Sequence, residues 1–242
     1  MQALPLEQFV PDAATILVVA PLALAYVCAA AGIASWLRVR RGVAAPYTRK
    51  TFHFLILTST LGVQLGWGLT GVTVFAAIVL LVVAVAVVRG DGFPFYEALA
   101  RSTDAPHRTL FIVVPMMTTA AGGILSNLLF GTWAPVGYMV VAWGDAVGEP
   151  VGTRWGRHRY RVPSLAGVPA TRSLEGSAAV LGASATAAFL ALLALNVAAG
   201  AAFAAALLIG AAAAGVEAVS NHGLDNLTMQ VAAAATAYLL LG

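Results

Sequence analysis

The sequence predicts an all-α, polytopic integral membrane bundle of about eight transmembrane helices with its N-terminus outside, and three observations predict it. Of 242 residues, 60% are apolar and 10% charged, with a mean hydropathy of +0.89; an average soluble domain is about 25% charged. Charged side chains are absent from five long runs: 13 to 37, 51 to 88, 109 to 144, 176 to 216 and 226 to 242. All 13 Lys and Arg fall in the connections between those runs.

The first run is one span. Glu7 and Asp12 precede it rather than a basic segment, so it is read as a retained helix and not a cleaved signal. Its Cys28, the single cysteine, has no partner for a disulfide or a metal. The next three runs exceed the roughly 20 residues of one crossing, so each is expected to fold back on itself. The expected turns are Gly66-Trp67-Gly68, Gly131-Thr132-Trp133 and residues 196 to 200, where Trp, Gly and Asn suit an interface. The last run supplies the final helix. No connection is long enough to build a second core, so residues 1 to 242 are expected to form a single transmembrane domain. Alanine-rich tracts such as 211 to 214 are read as close helix packing in lipid.

Orientation follows from the basic residues. Arg38, Arg40, Arg41, Arg49 and Lys50 lie in one connection, Arg89, Arg101 and Arg108 in the second, and Arg154, Arg157, Arg159, Arg161 and Arg172 in the third. With eight spans all three connections fall on one side, which the positive-inside rule makes cytoplasmic. A pI near 9.4 therefore needs no nucleic-acid partner.

Chemistry concentrates in residues 143 to 177. Asp145, Gly148, Glu149, Gly152 and Gly156 recur at intervals that place two carboxylates and a glycine stripe on one helical face. Pro150 is expected to kink or end that helix. Acids at the edge of an uncharged run point to a divalent cation, against the competing reading of a glycine-packed helix end with solvated acids. Arg157, Arg159 and Arg161 alternate with His158, Tyr160 and Val162, so an extended backbone would turn three guanidiniums to one side, where a triphosphate could lie. An ordinary cationic loop is the competing reading. Arg172 and Ser173 lead into a helix whose first turn holds Glu175, a position that capping alone also explains.

Two further sites belong to the same face. Arg49 and Lys50 stand one turn before His53, so cations and imidazole share a helical face. Glu217 and Asp225 flank residues 220 to 223, with Asn226 following; a carboxylate inside an apolar helix end, as at Glu217, requires a cation or arginine nearby. Standard phosphoryl-transfer loops are missing. Lys50, the only lysine, is outside any G-x-x-x-x-G-K-[ST] loop, and neither protein-kinase motifs nor HExxH or CxxC zinc clusters are present.

Gly144-Asp145 followed by Gly148, Gly152 and Gly156, and then Arg172-Ser173-Leu174-Glu175-Gly176-Ser177, resembles the G-D-x-x-A-x-x-x-G-x-x-x-G and K-[ST]-x-E-G-S pattern of the polyprenol kinase family, which includes dolichol and phytol kinases and CTP-dependent diacylglycerol kinases. Arg49-Lys50-Thr51-Phe52-His53 resembles that family's R-K-x-x-H segment, and residues 223 to 228, Gly-Leu-Asp-Asn-Leu-Thr, its terminal G-x-D-N-L-T. Gly148 replaces the usual alanine and Arg172 the usual lysine, which keeps the charge and changes its geometry.

The resemblance implies transfer of the γ-phosphate of CTP or another nucleoside triphosphate, with Mg²⁺, to the hydroxyl of a polyprenol, dolichol, phytol or diacylglycerol. It makes Asp145, His53, Lys50 and Glu175 the catalytic candidates, with His53 or a carboxylate taking the alcohol proton. Asp145, Glu149, Glu175, Glu217 and Asp225 become candidate metal ligands. Gly148, Gly152, Gly156, Arg154, Arg157, Arg159, Arg161, Arg172, Ser173 and Asn226 become candidate nucleotide contacts. Lipid is expected to enter sideways between helices, with Pro115, Gly122 and Gly123 lining its cavity. Expected partners are the lipid alcohol, the nucleotide, membrane lipid and, in an oligomer, a second copy of the chain.

Two alternatives differ in kind. A CTP:phosphatidate cytidylyltransferase shares an aspartate-glycine pattern, but its C-terminal proline-glycine-histidine-glycine-glycine segment has no counterpart at residues 221 to 225. A small transporter would place binding groups at the bilayer midplane, where Gln64, Ser126 and Asn127 are the weak candidates. The topology is open to test: a cysteine introduced by Arg101→Cys in a Cys28→Ala background is expected to resist an impermeant reagent applied to intact cells. Its labelling from outside would overturn the eight-span arrangement.

Overall fold

In a computed structural model of the chain, which describes residues 6 to 221 and 223 to 242, the apolar runs are helices. Hydrocarbon offers no partner to backbone N–H and C=O groups, and a helix satisfies them within one segment. The helices are α1 Ala13–Arg41, α2 Ala45–Arg89, α3 Pro94–Leu99, α4 Leu110–Phe130, α5 Ala134–Trp155, α6 Leu174–Ala194, α7 Ala199–Val219 and α8 Asp225–Leu241. Among the described residues, five stretches are long and apolar enough to cross a bilayer: α1, α2, Leu110–Trp155 with α4 and α5, α6, and α7. Leu17, Val88 and Leu239, each at least 75% exposed, show that this surface is built for lipid rather than water.

The predicted turns are backbone breaks. The 45-residue α2 is interrupted at Gly68, whose φ of 62° is left-handed and sterically free only for glycine. A 3-10 turn, Gly131–Trp133, separates α4 from α5, and Asn196 at φ 63° turns the chain between α6 and α7. His222, in the last predicted turn, lies outside the described residues.

Two predicted connections are more ordered than expected. Arg38, Arg40 and Arg41 form the last turn of α1, and Arg49 and Lys50 are already inside α2, so only residues 42 to 44 are non-helical there. Cations at a helix C-terminus are favoured by its dipole, and Gly42 at φ 64° closes α1. Residues 149 to 173 depart from the all-α expectation: β1, Arg159–Val162, pairs antiparallel with β2, Ala170–Ser173. Nor does α5 stop at Pro150; it runs on to Trp155.

The described residues form two compact units, divided between Ile112 and Val113. In the first, Ala23, Val27, Ala30 and Ala34 make a small-residue stripe along α1, and Tyr26 on the same helix donates to the Leu55 carbonyl of α2 at 2.9 Å. The polar segment after α2 is braced by ion pairs: Arg108 holds Asp91 at 2.7 Å and Glu97 at 2.8 Å, and Arg101 grips the buried Asp104 through two nitrogens at 2.9 Å each. Burial pushes the Glu97 carboxyl up, but the Gly92 N–H and the Arg108 guanidinium outweigh it and hold the acid below its ordinary value.

In the second unit, glycines let helices touch at backbone distance. A Cβ on Gly144 would meet Ser184, one on Gly148 would meet Val180, and one on Gly152 would sit 3.1 Å from Ser173 Oγ. Gly176 answers from α6, its Cβ position 3.1 Å from the Gly148 carbonyl. The stripe spaced at four residues is thus the α5–α6 seam. A Cβ on Gly210 of α7 would lie 2.9 Å from the Leu181 carbonyl oxygen of α6, and one on Gly137 of α5 would lie 2.6 Å from the Gln230 carbonyl oxygen of α8. Gly122 and Gly123, expected beside a lipid cavity, are instead filled by Gln230 and Tyr138.

Overpacking a seam costs typically about 1 to 3 kcal/mol, and more when backbone must move. Gly137→Ala, which aims a methyl at a carbonyl, is expected to lower thermal stability in detergent with no side-chain remedy. Gly148→Ala strikes only the Val180 side chain, so Val180→Ala should restore its melting temperature. Equal behaviour of the two glycine variants with and without Val180→Ala would show that the seam is not what the geometry makes it.

Candidate active site

The polar end of the second unit is assembled by the hairpin. Directly opposite residues of an antiparallel pair share a face, and the register sets Tyr160 opposite Arg172 and Arg161 opposite Thr171. Tyr160 and Arg172 are accordingly half-buried while Arg159, Arg161 and Thr171 are exposed. The alternation read from the sequence is real, and Arg172 lies apart from the three arginines it was read on. Arg154, Arg157, Arg159 and Arg161 face solvent; Arg172 turns inward, its side chain 11% exposed.

Arg172 meets two acids from two helices. Its Nε lies 2.9 Å from Glu217 Oε1 at the end of α7, and its Nη2 2.9 Å from Asp225 Oδ2 at the start of α8. Both carboxylates are 12% exposed. Buried charges survive when paired in good hydrogen-bonding geometry, and the cation that Glu217 requires is this arginine. The third guanidinium corner, Nη1, is buried without a hydrogen-bond partner. Asp145, buried on α5, lies within electrostatic range of Glu217 together with Asp225. Glu149 follows one turn further along α5, half-buried.

Ser173 and Glu175 fix the junction between hairpin and α6. Ser173 Oγ accepts from the Gly176 N–H at 3.1 Å as the N-cap. Glu175, in the first turn of α6, accepts from the Arg157 N–H at 3.1 Å and pairs with His158 Nδ1 at 2.7 Å. This acid therefore staples the start of the hairpin to the start of α6.

Asn226, expected at the nucleotide, directs its amide into α4, donating to Thr119 Oγ1 at 2.8 Å and to the Pro115 carbonyl at 3.3 Å. Gln230, one turn on and fully buried, donates to the Thr119 carbonyl at 3.1 Å. Thr118 adds a bond to the Gly223 carbonyl at 2.9 Å. These contacts lock α8 against α4 and thereby set where Asp225 stands. Of the midplane groups, Asn127 bonds the Tyr138 hydroxyl, so it serves the packing of α4 on α5.

Lys50 and His53 belong to the first unit. Lys50 is buried and His53 half-buried on the first turns of α2, and the neighbouring Arg49 Nη1 donates to the Phe111 carbonyl at 3.5 Å. One element of the site escaped sequence reasoning: Tyr160 OH, Ser177 Oγ and Glu217 Oε2 form a chain with links of 2.8 and 3.3 Å. Only the alternation of Tyr160 with arginines hinted at it, because the partners are 17 and 40 residues apart in sequence.

Among the described residues, no three of His, Cys, Asp and Glu form a cluster able to hold a metal ion. That donor set fits Mg²⁺ in one mode, since this ion commonly takes one or two carboxylates and completes its shell with water and substrate phosphate. Asp145 and Glu149, one turn apart on α5, are two carboxylates of that number.

The chain is 31% identical over 253 residues to the phytol kinase of Synechocystis sp., an alignment covering 98% of this chain and 99% of that protein. No family model and no solved structure matches it.

Removing one partner from a buried ion pair costs about 3 to 5 kcal/mol, because the other charge is left uncompensated. Arg172→Ala is expected to lower the melting temperature of the purified protein markedly, and Glu217→Gln with Asp225→Asn in the same chain should recover much of the loss. Arg172→Lys should fall between, since an ammonium lacks the fork that reaches two carboxylates. An Arg172→Ala protein melting like the parent would remove the triad from the account.

Proposed function

The chain belongs to the polyprenol kinase family, a group of lipid kinases with an alcohol as acceptor, and on that premise we propose that it transfers the γ-phosphoryl group of a nucleoside triphosphate, CTP by preference, to the hydroxyl of an isoprenoid alcohol. Phytol, in the name of the Synechocystis relative, is the first acceptor to test. The observation that carries the reading is the buried Arg172 with its unpaired Nη1, set between Glu217 and Asp225 near Asp145. An orphaned guanidinium corner in a low-dielectric site is a strong donor to a phosphate oxygen.

In this reading Asp145 and Glu149 hold Mg²⁺, which when bound neutralises phosphate charge. Arg172 donates to the transferred group, and its two acids fix the fork in place before substrate arrives, which is how preorganised electrostatics lowers a barrier. The outward arginines, Arg157, Arg159 and Arg161, draw the triphosphate to the surface by their field. Glu175 and Ser173 hold the hairpin on α6, while Asn226 holds Asp225. Lys50 and His53 contribute charge and a titratable ring at the start of α2. The fold is taken to cross the bilayer about eight times, counting α2 as two crossings at its Gly68 break and α8 as one. The N-terminus then lies outside, the basic segments face the cytoplasm, and residues 1 to 242 act as one catalytic domain.

Asp145→Asn removes a metal-binding charge and nearly preserves shape. Loss of one such electrostatic group costs roughly 10² to 10³ in rate, so transfer of label from γ-³²P-CTP to phytol should fall by that order while the protein remains folded. Near-normal turnover by a folded Asp145→Asn protein at saturating Mg²⁺ and nucleotide would make this aspartate structural. Release of pyrophosphate in place of lipid phosphate would favour the cytidylyltransferase reading.

A further inference from the structure

A groove of about 450 Å³ runs between the hairpin and the adjoining ends of α6 and α7, lined by Tyr160, Val162, Leu174, Ser177, Ala218 and Val219 among others. Its walls are mostly apolar, and two of them, Leu174 at 61% and Val219 at 73% exposure, stand at the first residue of α6 and the last of α7. Both helices are apolar enough to span a membrane, so the groove opens where lipid-facing surface meets the polar end of the unit. Its polar groups are Arg161 at the hairpin and the hydroxyl pair of Tyr160 and Ser177, 2.8 Å apart. Ser177 donates to Glu217 Oε2 at 3.3 Å, and Glu217 holds Arg172.

We propose that this groove is the binding site of the acceptor alcohol: the hydrocarbon lies along Val162, Leu174, Ala218 and Val219, and the hydroxyl bonds to the Tyr160–Ser177 pair. The proposal rests on the lipid-kinase reading and adds the place where the lipid is held. The chemistry matches end to end. A small site with apolar walls and few polar groups fixes orientation by those groups, and an alcohol O–H is a donor that the remaining lone pairs of this hydroxyl pair can accept from. Serine Oγ has two lone pairs, so it can accept from Tyr160 and from the lipid while still donating to Glu217. The chain Ser177, Glu217, Arg172 then sets the acceptor hydroxyl in a fixed relation to the guanidinium assigned to phosphate, and such positioning converts into rate. Tyr160 and Ser177 are thus specificity-determining residues, and Ala218 and Val219 gate the hydrocarbon.

A C20 isoprenoid alcohol bearing a diazirine, photolysed with the full chain in nanodiscs, tests the site directly. Labelling is expected on the peptides carrying Leu174 or Val219, suppressed by excess phytol and by Ala218→Trp and Val219→Trp, each checked for folding by retained binding of Mg²⁺ and CTP. In the transfer assay those two variants should raise KM for phytol about tenfold, the scale set by filling an apolar pocket, with KM for CTP unmoved. Ser177→Ala should lower kcat/KM for phytol and leave CTP binding intact. Labelling confined to other peptides, or an unchanged KM for phytol in both tryptophan variants, overturns the groove. Absence of transfer by the parent protein, with phytol-suppressible labelling at the groove, would sink the kinase reading and leave the alcohol site standing.

Discussion

One guanidinium ties together the polar end of the second unit. Arg172 comes from a strand, Glu217 from the end of α7 and Asp225 from the start of α8, and none of the three charges can stay buried without the others. The hairpin is therefore an anchor as well as a loop, because its pleat decides that Arg172 points inward while Arg159 and Arg161 point out. A buried ion cluster of this kind is weak evidence for net stability compared with an apolar core.

Around that cluster the packing works by smallness. In lipid there is no hydrophobic drive between helices, so close van der Waals contact and a few interhelical hydrogen bonds must hold them. Gly137, Gly144, Gly148 and Gly152 on α5, with Gly176 on α6 and Gly210 on α7, bring backbones and small side chains to within contact of one another. This closeness also serves the site, since the seam at Gly148 and Gly176 sets the first turn of α6, with Ser173 and Glu175, beside the face of α5 that carries Asp145 and Glu149. The polar bonds from Thr118 and Thr119 to Gly223, Asn226 and Gln230 do the same for α8. Packing and chemistry use the same residues.

Division of labour among the polar groups follows from burial. Exposed arginines on the outer face of the hairpin feel high dielectric and screening, so each contributes little to any one fixed contact. The half-buried inner face carries groups whose bonds are specific: Arg172 on its two acids, Tyr160 on Ser177, Ser177 on Glu217. Glu175 holds the two parts in register through His158 and the Arg157 N–H.

Much of this was legible in the sequence. Hydropathy marks the helices because lipid leaves the backbone no other choice. The breaks at Gly68, at 131 to 133 and at Asn196 were legible because Gly and Asn are the residues that tolerate positive φ. The order of the motifs identifies the family, and the placement of Glu217 in an apolar helix end demands a cation. Which cation was not legible, because Arg172 and Glu217 meet only through a hairpin whose pairing depends on tertiary register. The same reason hid the Tyr160, Ser177 and Glu217 chain and the turn of Asn226 into α4. The sequence by itself determined the solvent and the helical character, which follow from composition and local periodicity, while its ordered motifs carried the resemblance to a kinase family. The tertiary structure decided which charges neutralise one another and which glycines are seams, since both depend on distances between residues far apart along the chain.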